Sequence, residues 1–320
     1  MDIKIGTFNL NNLFSRFNFK GAIDALEQGD NTVHITYTFN DPATFRIRTF
    51  QGKLVTEKPN AERTAIANRI LAMDVDVLAV QEVEDINTLQ GFARDSLNDR
   101  YPFHVLIEGN DPRLIDVGIL SKLPIGAVTS WRHAIHPDDP THTVFSRDLL
   151  EVEILNPQRT EKLVTIFNTH LKSHFVPFNE NPVLGAEEAN RRRRQQAEIA
   201  ARIITARTRS DSRYLMVGDL NDPPESEFLA PLVRSNTLSL VNALVNPRET
   251  RPSRPDNPNP TTTAWTHRFR SAGQSQHQLF DQIWLSPALA GKQTDAVIDR
   301  RTKHSGDGSD HDPAWITLAI

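Results

Sequence analysis

The segment Leu215-Met216-Val217-Gly218-Asp219-Leu220-Asn221-Asp222 ends a short apolar run with an acid and a carboxamide two residues apart. On an extended chain Asp219 and Asn221 point the same way. Gly218 lets backbone or ligand come close, and Pro223-Pro224 stops the strand. The same design recurs along the chain. Asn9 and Asn11 close the run Ile3 to Leu10, and Glu82 follows Val77-Leu78-Ala79-Val80-Gln81. Asn168, His170 and Lys172 alternate after the run Lys162 to Phe167. Asp281 lies inside Leu279 to Leu285, and Asp310-His311 precedes Asp312-Pro313. Hard oxygen donors without cysteine suit Mg²⁺ or Mn²⁺ rather than structural zinc. A buried acid beside a histidine orients and charges an imidazole. Each group alone has a plain structural reading. Asp and Asn are common turn residues, a strand histidine is more often a satisfied core residue, and a strand-end glutamate often faces solvent. Their repetition at successive strand ends is what points to a site.

The elements that must hold these groups alternate between strand and helix. Ala65, Ile66, Arg69, Ile70 and Met73 give helical spacing over Ala61–Met73, and residues 86–98 carry a second apolar stripe. Strands are expected at 3–10, 77–81, 103–107, 117–120, 149–155, 162–167, 279–285 and 314–318. The longest helix is expected over 186–207. There Arg191 to Arg194 sweep most of the circumference at roughly 100° per residue. At least one must therefore approach the sheet or the site, where it could hold a phosphate or a carboxylate. Residues 14–60 lack periodicity and read as a long loop or hairpin insertion whose Phe17, Phe19, Tyr37, Phe39 and Phe45 could wall a pocket but are more readily read as pinning it to the core. Residues 247–260 read as an exposed loop. Trp265-Thr266-His267-Arg268-Phe269-Arg270 mixes stacking and cationic groups, which suits nucleotides and equally an amphipathic strand.

Composition sets limits. The 320 residues are 38% apolar and 24% charged, as in an ordinary globular protein. A net charge of −4 gives no global attraction to a polyanion, so a nucleic-acid substrate needs a local basic surface or bound cations. The absence of cysteine excludes disulfides, thiolate ligands and a cysteine nucleophile. No run has the apolar length of a membrane helix. Met1 to Ile5 begins a strand-like alternation without signal-peptide features, which favours the cytoplasm over export. No repeat, domain linker or obligate protein partner is evident, so residues 1–320 read as one catalytic domain with the insertion at 14–60.

Taken together, FNLNN, QEVED, DVGILSK, NTHLKS, GDLND, FDQIWLSP and SDHDP, spread from Phe8 to Pro313, resemble the endonuclease/exonuclease/phosphatase superfamily of DNase I-like and exonuclease III-like phosphohydrolases. The resemblance implies a four-layer α/β sandwich, with two mixed sheets face to face and helices outside. It implies Glu82 as the principal ligand of Mg²⁺ (or of Mn²⁺ or Ca²⁺), helped by Asn9 and Asp310, with Asn11 where many members have an acid. Asp219 would orient or deprotonate the attacking water, and Asn221 would hold the scissile phosphate. His170 and His311 would contact phosphate oxygens, His311 polarised by Asp281. Asn168, Lys172 and Arg113 are further expected phosphate contacts. The reaction implied is in-line attack of water on phosphorus without a covalent enzyme intermediate. Whether Asp219 or His311 is the base stays open. GDLNDPP is nearer the nuclease-type members than the inositol-phosphate phosphatases, so the leading expectation is a diesterase acting on DNA or RNA. A small-molecule phosphodiesterase or phosphomonoesterase, of inositol-phosphate or lipid-headgroup type, is the alternative. A non-catalytic binding protein on the same scaffold is a third.

Overall fold

The computed structural model describes residues 1–15, 26–28, 33–35, 58–176, 180–250, 264–271, 274–301 and 307–320. One sheet has the order β14 (Arg248–Glu249), β18 (Gln293–Ile298), β19 (Ala314–Ala319), β1 (Asp2–Leu13), β4 (Val77–Val83), β6 (Asp116–Ser121), β5 (Phe103–Leu106). The other runs β13 (Val241–Asn242), β17 (Asp281–Leu285), β12 (Tyr214–Asp219), β11 (Lys162–His170), β10 (Leu149–Leu155), β7 (Ile125–Ser130). Both are mixed: β1 pairs parallel with β4 and antiparallel with β19, and β12 pairs parallel with β11 and antiparallel with β17. Three hairpins stand apart: β2 (Leu26–Gln28) with β3 (Val33–Ile35), β8 (Ile135–His136) with β9 (Asp139–Thr143), and β15 (His267–Ser271) with β16 (Gln274–Gln278). The helices are α1 (Asn60–Met73), α2 (Ile86–Ser96), α3 (Pro182–Arg207), α4 (Ala230–Val233) and α5 (Pro287–Ala290).

Strand periodicity builds the layers. Successive side chains face opposite sides of a strand, so a fully apolar strand serves two interfaces. On β4, Val77 and Ala79 enter the core between the sheets, while Leu78 and Val80 pack against Ile66 and Ile70 of α1 and Phe92 of α2. On β12, Leu215 and Val217 face the other sheet, while Met216 packs with Ala200 and Ile204 of α3. Three apolar cores separated by two sheets make the four layers of an α/β sandwich.

Helix α3 begins four residues before the expected 186. Asn181 accepts hydrogen bonds from the backbone N–H groups of Val183 and Leu184, and Pro182 occupies the first turn. Of the aromatics expected to pin the insertion, Phe17, Phe19, Tyr37, Phe39 and Phe45 lie outside the described residues.

One buried polar device fixes the sheets against each other, and one glycine fixes the close passage of two strands within a sheet. Asn168 of β11 donates to the carbonyls of Val80 (3.2 Å) and Gly118 (2.8 Å) in the opposite sheet and accepts from Gln81 Nε2 (2.9 Å). Gly218 has φ +134°, and a Cβ built on it would lie 1.9 Å from the carbonyl oxygen of Thr169. Only glycine fits where β12 passes β11 at the mouth of the sandwich.

Candidate active site

The acids and amides converge toward the last residues of β1, β4, β11 and β12 and the first of β17, at the seam between the two sheets. Two turns of the same form meet there. Asn9 Oδ1 accepts from the backbone N–H of Asn11 at 2.9 Å, and Asp219 Oδ1 accepts from that of Asn221 at 2.9 Å. Asn11 and Asn221 adopt left-handed backbone, φ 46° and 54°. Asn tolerates that region because its side chain is short and polar. The regular extended form is therefore broken at the second residue of each pair. This departs from the same-face reading of Asp219 and Asn221: the Asn221 side chain turns to donate to the Leu171 carbonyl at 3.1 Å. Asn9 Nδ2 then joins the turns by donating to Asp219 Oδ2 at 2.9 Å.

Asp219 is the hub. Its Oδ2 lies 3.5 Å from His170 Nε2 and 3.8 Å from His311 Nε2. The two imidazoles are electrostatically opposite. Burial and the charge of Arg147 hold His170 well below the ordinary histidine range, so it is neutral. Burial disfavours the charged form of His311 too, but Asp281, Asp219 and Asp310 override it and hold the ring well above that range. His311 Nδ1 donates to Asp281 Oδ2 at 2.6 Å, and the backbone N–H of Asp281 is held by Thr266 Oγ1 at 2.9 Å. Burial pushes the Asp219 carboxyl up, Asp281 adds to this, and His311 opposes it.

The remaining groups arrange themselves around this hub. Glu82 is half-buried and has φ 61°, at a register shift in both ladders of β4. A bulge re-aims a side chain, and here it directs Glu82 out of the strand alternation. Its Oε2 accepts from the Asn12 N–H at 3.0 Å. Burial pushes its carboxyl up, and repulsion from Asp310 and Asp219 adds to that. Asp310 is the exposed member. Partial desolvation opposes its ionisation, but the hydrogen bond from His267 and the charges of His311 and His267 hold its carboxyl far below the usual range. Ser309 Oγ ties this turn to β1, donating to the Asn9 carbonyl at 2.7 Å.

Not every expected residue is placed to touch a substrate. Asn168 shares the inter-sheet face with His170 but sits deeper, with its amide committed to Val80, Gly118 and Gln81, so it buttresses the seam instead of offering a phosphate contact. Asn11 gives its carbonyl oxygen to Lys58 Nζ at 2.6 Å and its Oδ1 to Asn12 Nδ2 at 3.1 Å. Lys172 is half-buried and donates to the carbonyls of Ser173 and Phe175, both at 2.9 Å. Burial, then the charges of Arg147 and Arg113, bring its pKa down to about 8. Arg113 is gripped by Asp111, at 3.0 Å from Nε and 2.9 Å from Nη2, and its charge acts on Glu82, His170 and Lys172. Arg193 is the inward arginine of the α3 quartet, fully buried with Nε 3.1 Å from Asp222 Oδ2, while Arg191 and Arg194 pair with Glu188 and Glu198. Trp265 is core, with the Arg300 guanidinium 3.8 Å over its ring, and Arg268 is buried. That stretch therefore gives Trp265 and Arg268 to packing rather than to an open surface for nucleotides.

Three positions carry more than sequence reasoning assigned them. Arg147 is wholly buried beneath the acids, 3.3 Å from Asp111, and its charge reaches Glu82, Asp219 and His170. Lys58 is buried with its ammonium beside Asn11, and Glu82 and Asp310 act on it. Asp312 is gripped by Arg300 (3.1 Å), Arg301 (2.9 Å) and Arg69 (3.5 Å), which fixes the backbone that presents His311. The doublet Arg300-Arg301 and the second acid of SDHDP were the available signals.

The donor set fits a hard divalent cation. Glu82 and Asp310 repel each other across the mouth, the amide of Asn9 is bonded to Asp219 of the same cluster, and no thiolate is present. Among the described residues, His267–Asp310–His311 and Asp219–Asp281–His311 each bring their ligand atoms within 4.8 Å of one another. Glu82 belongs to neither group, and its link to them is electrostatic.

A model of the Endonuclease/Exonuclease/phosphatase family matches residues 6–311. Curated protein sequences give no match. Similar solved structures include an endonuclease/exonuclease/phosphatase from Bacteroides vulgatus, 14% identical, covering 100% of this chain and 99% of that one with TM-score 0.60. An AP endonuclease from Archaeoglobus fulgidus is 16% identical, covering 99% and 100% with TM-score 0.60. A mannosyl-6-phosphatase from Bacteroides thetaiotaomicron is 13% identical, covering 99% and 100% with TM-score 0.57. At these identities the likeness is one of fold. Among the described residues no helix is long and apolar enough to cross a membrane.

Proposed function

Because the chain belongs to the endonuclease/exonuclease/phosphatase family, whose members hydrolyse phosphoester bonds, we propose that it is a divalent-metal-dependent phosphodiesterase acting on nucleic acid. The observation that carries phosphoester hydrolysis is Asp219 set between a neutral His170 and a cationic His311 that Asp281 holds at 2.6 Å, and the nuclease-like GDLNDPP motif favours nucleic acid as the substrate.

In this reading Asp219 accepts the proton of the attacking water. Its raised pKa makes it a stronger base than a surface carboxylate, and Asn9 fixes its orientation. That assigns the base to Asp219 because His311 is already protonated. His311 Nε2 donates to a phosphoryl oxygen as charge builds there, and Asp281 keeps the ring charged and aligned. Asn221 offers the phosphate the N–H not given to Leu171, and Lys172 and Arg113, bonded to their own protein partners, add positive potential around it. The water oxygen bonds to phosphorus as the bond to the leaving oxygen breaks, and the leaving oxygen takes a proton from solvent or from His311. Glu82, Asp310 and Asn9 would hold Mg²⁺ or a similar ion, which supplies Lewis-acid stabilisation of phosphoryl charge when bound.

The test is incubation of the purified protein with Mg²⁺ or Mn²⁺ and plasmid DNA, bis(p-nitrophenyl) phosphate or p-nitrophenyl phosphate, each against EDTA and against Asp219→Ala. EDTA-sensitive nicking that Asp219→Ala loses is the expected result. Turnover of the monoester alone would replace this reading with a phosphatase. Inertness toward all three substrates would refute hydrolysis of either kind.

A further inference from the structure

We propose that His174 is a stacking platform for a planar group of the substrate, so that the site takes phosphodiesters bearing a nucleobase or similar flat ring beside the scissile phosphate. The inference rests on the phosphodiesterase reading for its substrate and on geometry for its residue.

His174 lies two residues beyond Lys172, with its side chain 50% exposed. Both ring nitrogens are nevertheless engaged within the protein. Nδ1 faces Arg193 Nη2 at 3.4 Å, and a guanidinium only donates, so Nδ1 keeps its lone pair. Nε2 then carries the hydrogen and points at Asp222 Oδ1, 3.2 Å away. Both ring nitrogens are thus taken by partners within the protein. What it offers outward is a flat surface. The ring is also locked in orientation. It lies offset-stacked on Phe280, with centroids 6.0 Å apart and planes 23° apart, within the range of favourable aromatic pairs.

The row continues into the site. Phe280 stacks on His267 at 5.1 Å and 12°, and His267 lies 4.6 Å from the His311 ring. Phe280 itself is buried and immediately precedes Asp281. On the other side, Asp222 follows Asn221, and Arg193 clamps both Asp222 and the Lys172 carbonyl, the latter at 2.6 Å. His174 is thus held rigidly beside the expected phosphate contacts. A substituent one bond system removed from the phosphate would meet its exposed face. Rigid aromatic surfaces favour planar groups at little entropic cost, and base stacking is tolerant of base identity.

The test measures binding, so it does not depend on turnover. Isothermal titration compares a hydrolysis-resistant phosphorothioate-linked dithymidine with its abasic counterpart, in which tetrahydrofuran replaces each nucleoside, for the wild type, His174→Ala and His174→Phe. The wild type should prefer the base-bearing probe by about tenfold, the size of a single stacking contact. His174→Ala should bring that ratio close to one, and His174→Phe should restore it, which a purely structural histidine would not do. Thermal unfolding of both variants confirms that they fold. A wild-type ratio near one, no binding of either probe, or a ratio that survives in His174→Ala overturns the platform. A base-dependent ratio in a protein that hydrolyses no phosphodiester would instead overturn the hydrolase reading and leave the platform standing.

Discussion

Asp116 offers a measurable consequence of how the site is buttressed. It starts β6 and is buried, with Oδ1 accepting from the Gly109 N–H at 2.8 Å and Oδ2 enclosed without a hydrogen-bond partner. Burial pushes its pKa up from 3.8 to about 7, with Glu108 and Asp111 adding to this and Gly109 and Arg147 opposing it. In the unfolded chain the carboxyl returns to its ordinary value. Between the two values the unfolded state releases the proton while the folded state keeps it, so this group lowers stability as pH rises through that window. The full penalty, reached above the folded pKa, is about three pK units, or ~4 kcal/mol, and it vanishes below the unfolded pKa. Roughly 2–3 kcal/mol of it falls between pH 5 and pH 8. Asp116→Asn keeps an acceptor for Gly109 and removes the titration. Urea unfolding of both proteins at the two pH values, analysed as a two-state transition, should show the variant gaining about that much on the wild type at pH 8 relative to pH 5. A difference between the two proteins that is the same at both pH values would refute a carboxyl held protonated at the start of β6.

The other predictions concern the site directly. Mg²⁺ or Mn²⁺ should raise the melting temperature of the wild type, as any ligand of the folded state does, and Glu82→Gln should lose most of that shift and the activity with it; a full shift in the variant would remove Glu82 from the metal site. Asp281→Asn removes the largest of the three carboxylate charges that hold His311 protonated, and should lower kcat by about 10² or more with KM little changed; a kcat within a few-fold of wild type would mean that the 2.6 Å contact is structural. Lys172, with a pKa of about 8, should impose an alkaline limb on kcat/KM as its charge is lost with rising pH, and Lys172→Arg, permanently charged, should remove that limb. A limb unchanged in Lys172→Arg belongs to another group.

Much of this was legible in the sequence because period and punctuation are local. Apolar runs at 77–81, 149–155 and 215–217 located the central strands, and the spacing of Ile66, Ile70 and Met73 located α1. Crowding of Arg191 to Arg194 on one helix required an inward arginine, and Arg193 is that residue. What stayed hidden depends on backbone departures and on depth. The bulge at Glu82 and the left-handed turns at Asn11 and Asn221 break the alternation on which side-chain directions were inferred. Asn168 and His170 do share a face, but periodicity gives no depth, and one strand step separates a residue locked between sheets from one at the rim. Short strands such as β7, β9 and β18 alternate too weakly to stand out; β9, Asp-Pro-Thr-His-Thr, has no apolar residue beyond its proline. Arg147 and Lys58 gain their importance from partners far away in the chain, which no local pattern encodes.

The concentration of unusual backbone at the seam follows from what the site requires. Residues outside glycine in the left-handed region cost about 1 kcal/mol or more each and persist only where their surroundings over-determine them. Here Asn11, Asn12, Glu82 and Asn221 all adopt it within one small region, and Gly218 takes a backbone that a side chain could not. Each sheet must end in a turn tight enough to aim an amide and a carboxylate at the same point, and the ends must be held together while like charges crowd there. The Asn9–Asp219 bond, the Asn168–Gln81 cross-link and the Ser309 tie to Asn9 supply that restraint with neutral or single-charge hydrogen bonds. The charges of Arg147 and His311 offset part of the repulsion that Glu82, Asp219 and Asp310 exert. A sheet seam can carry this combination because backbone ladders on both sides hold the turn positions. The same two turns built on a free loop would relax out of the left-handed region and separate the acids.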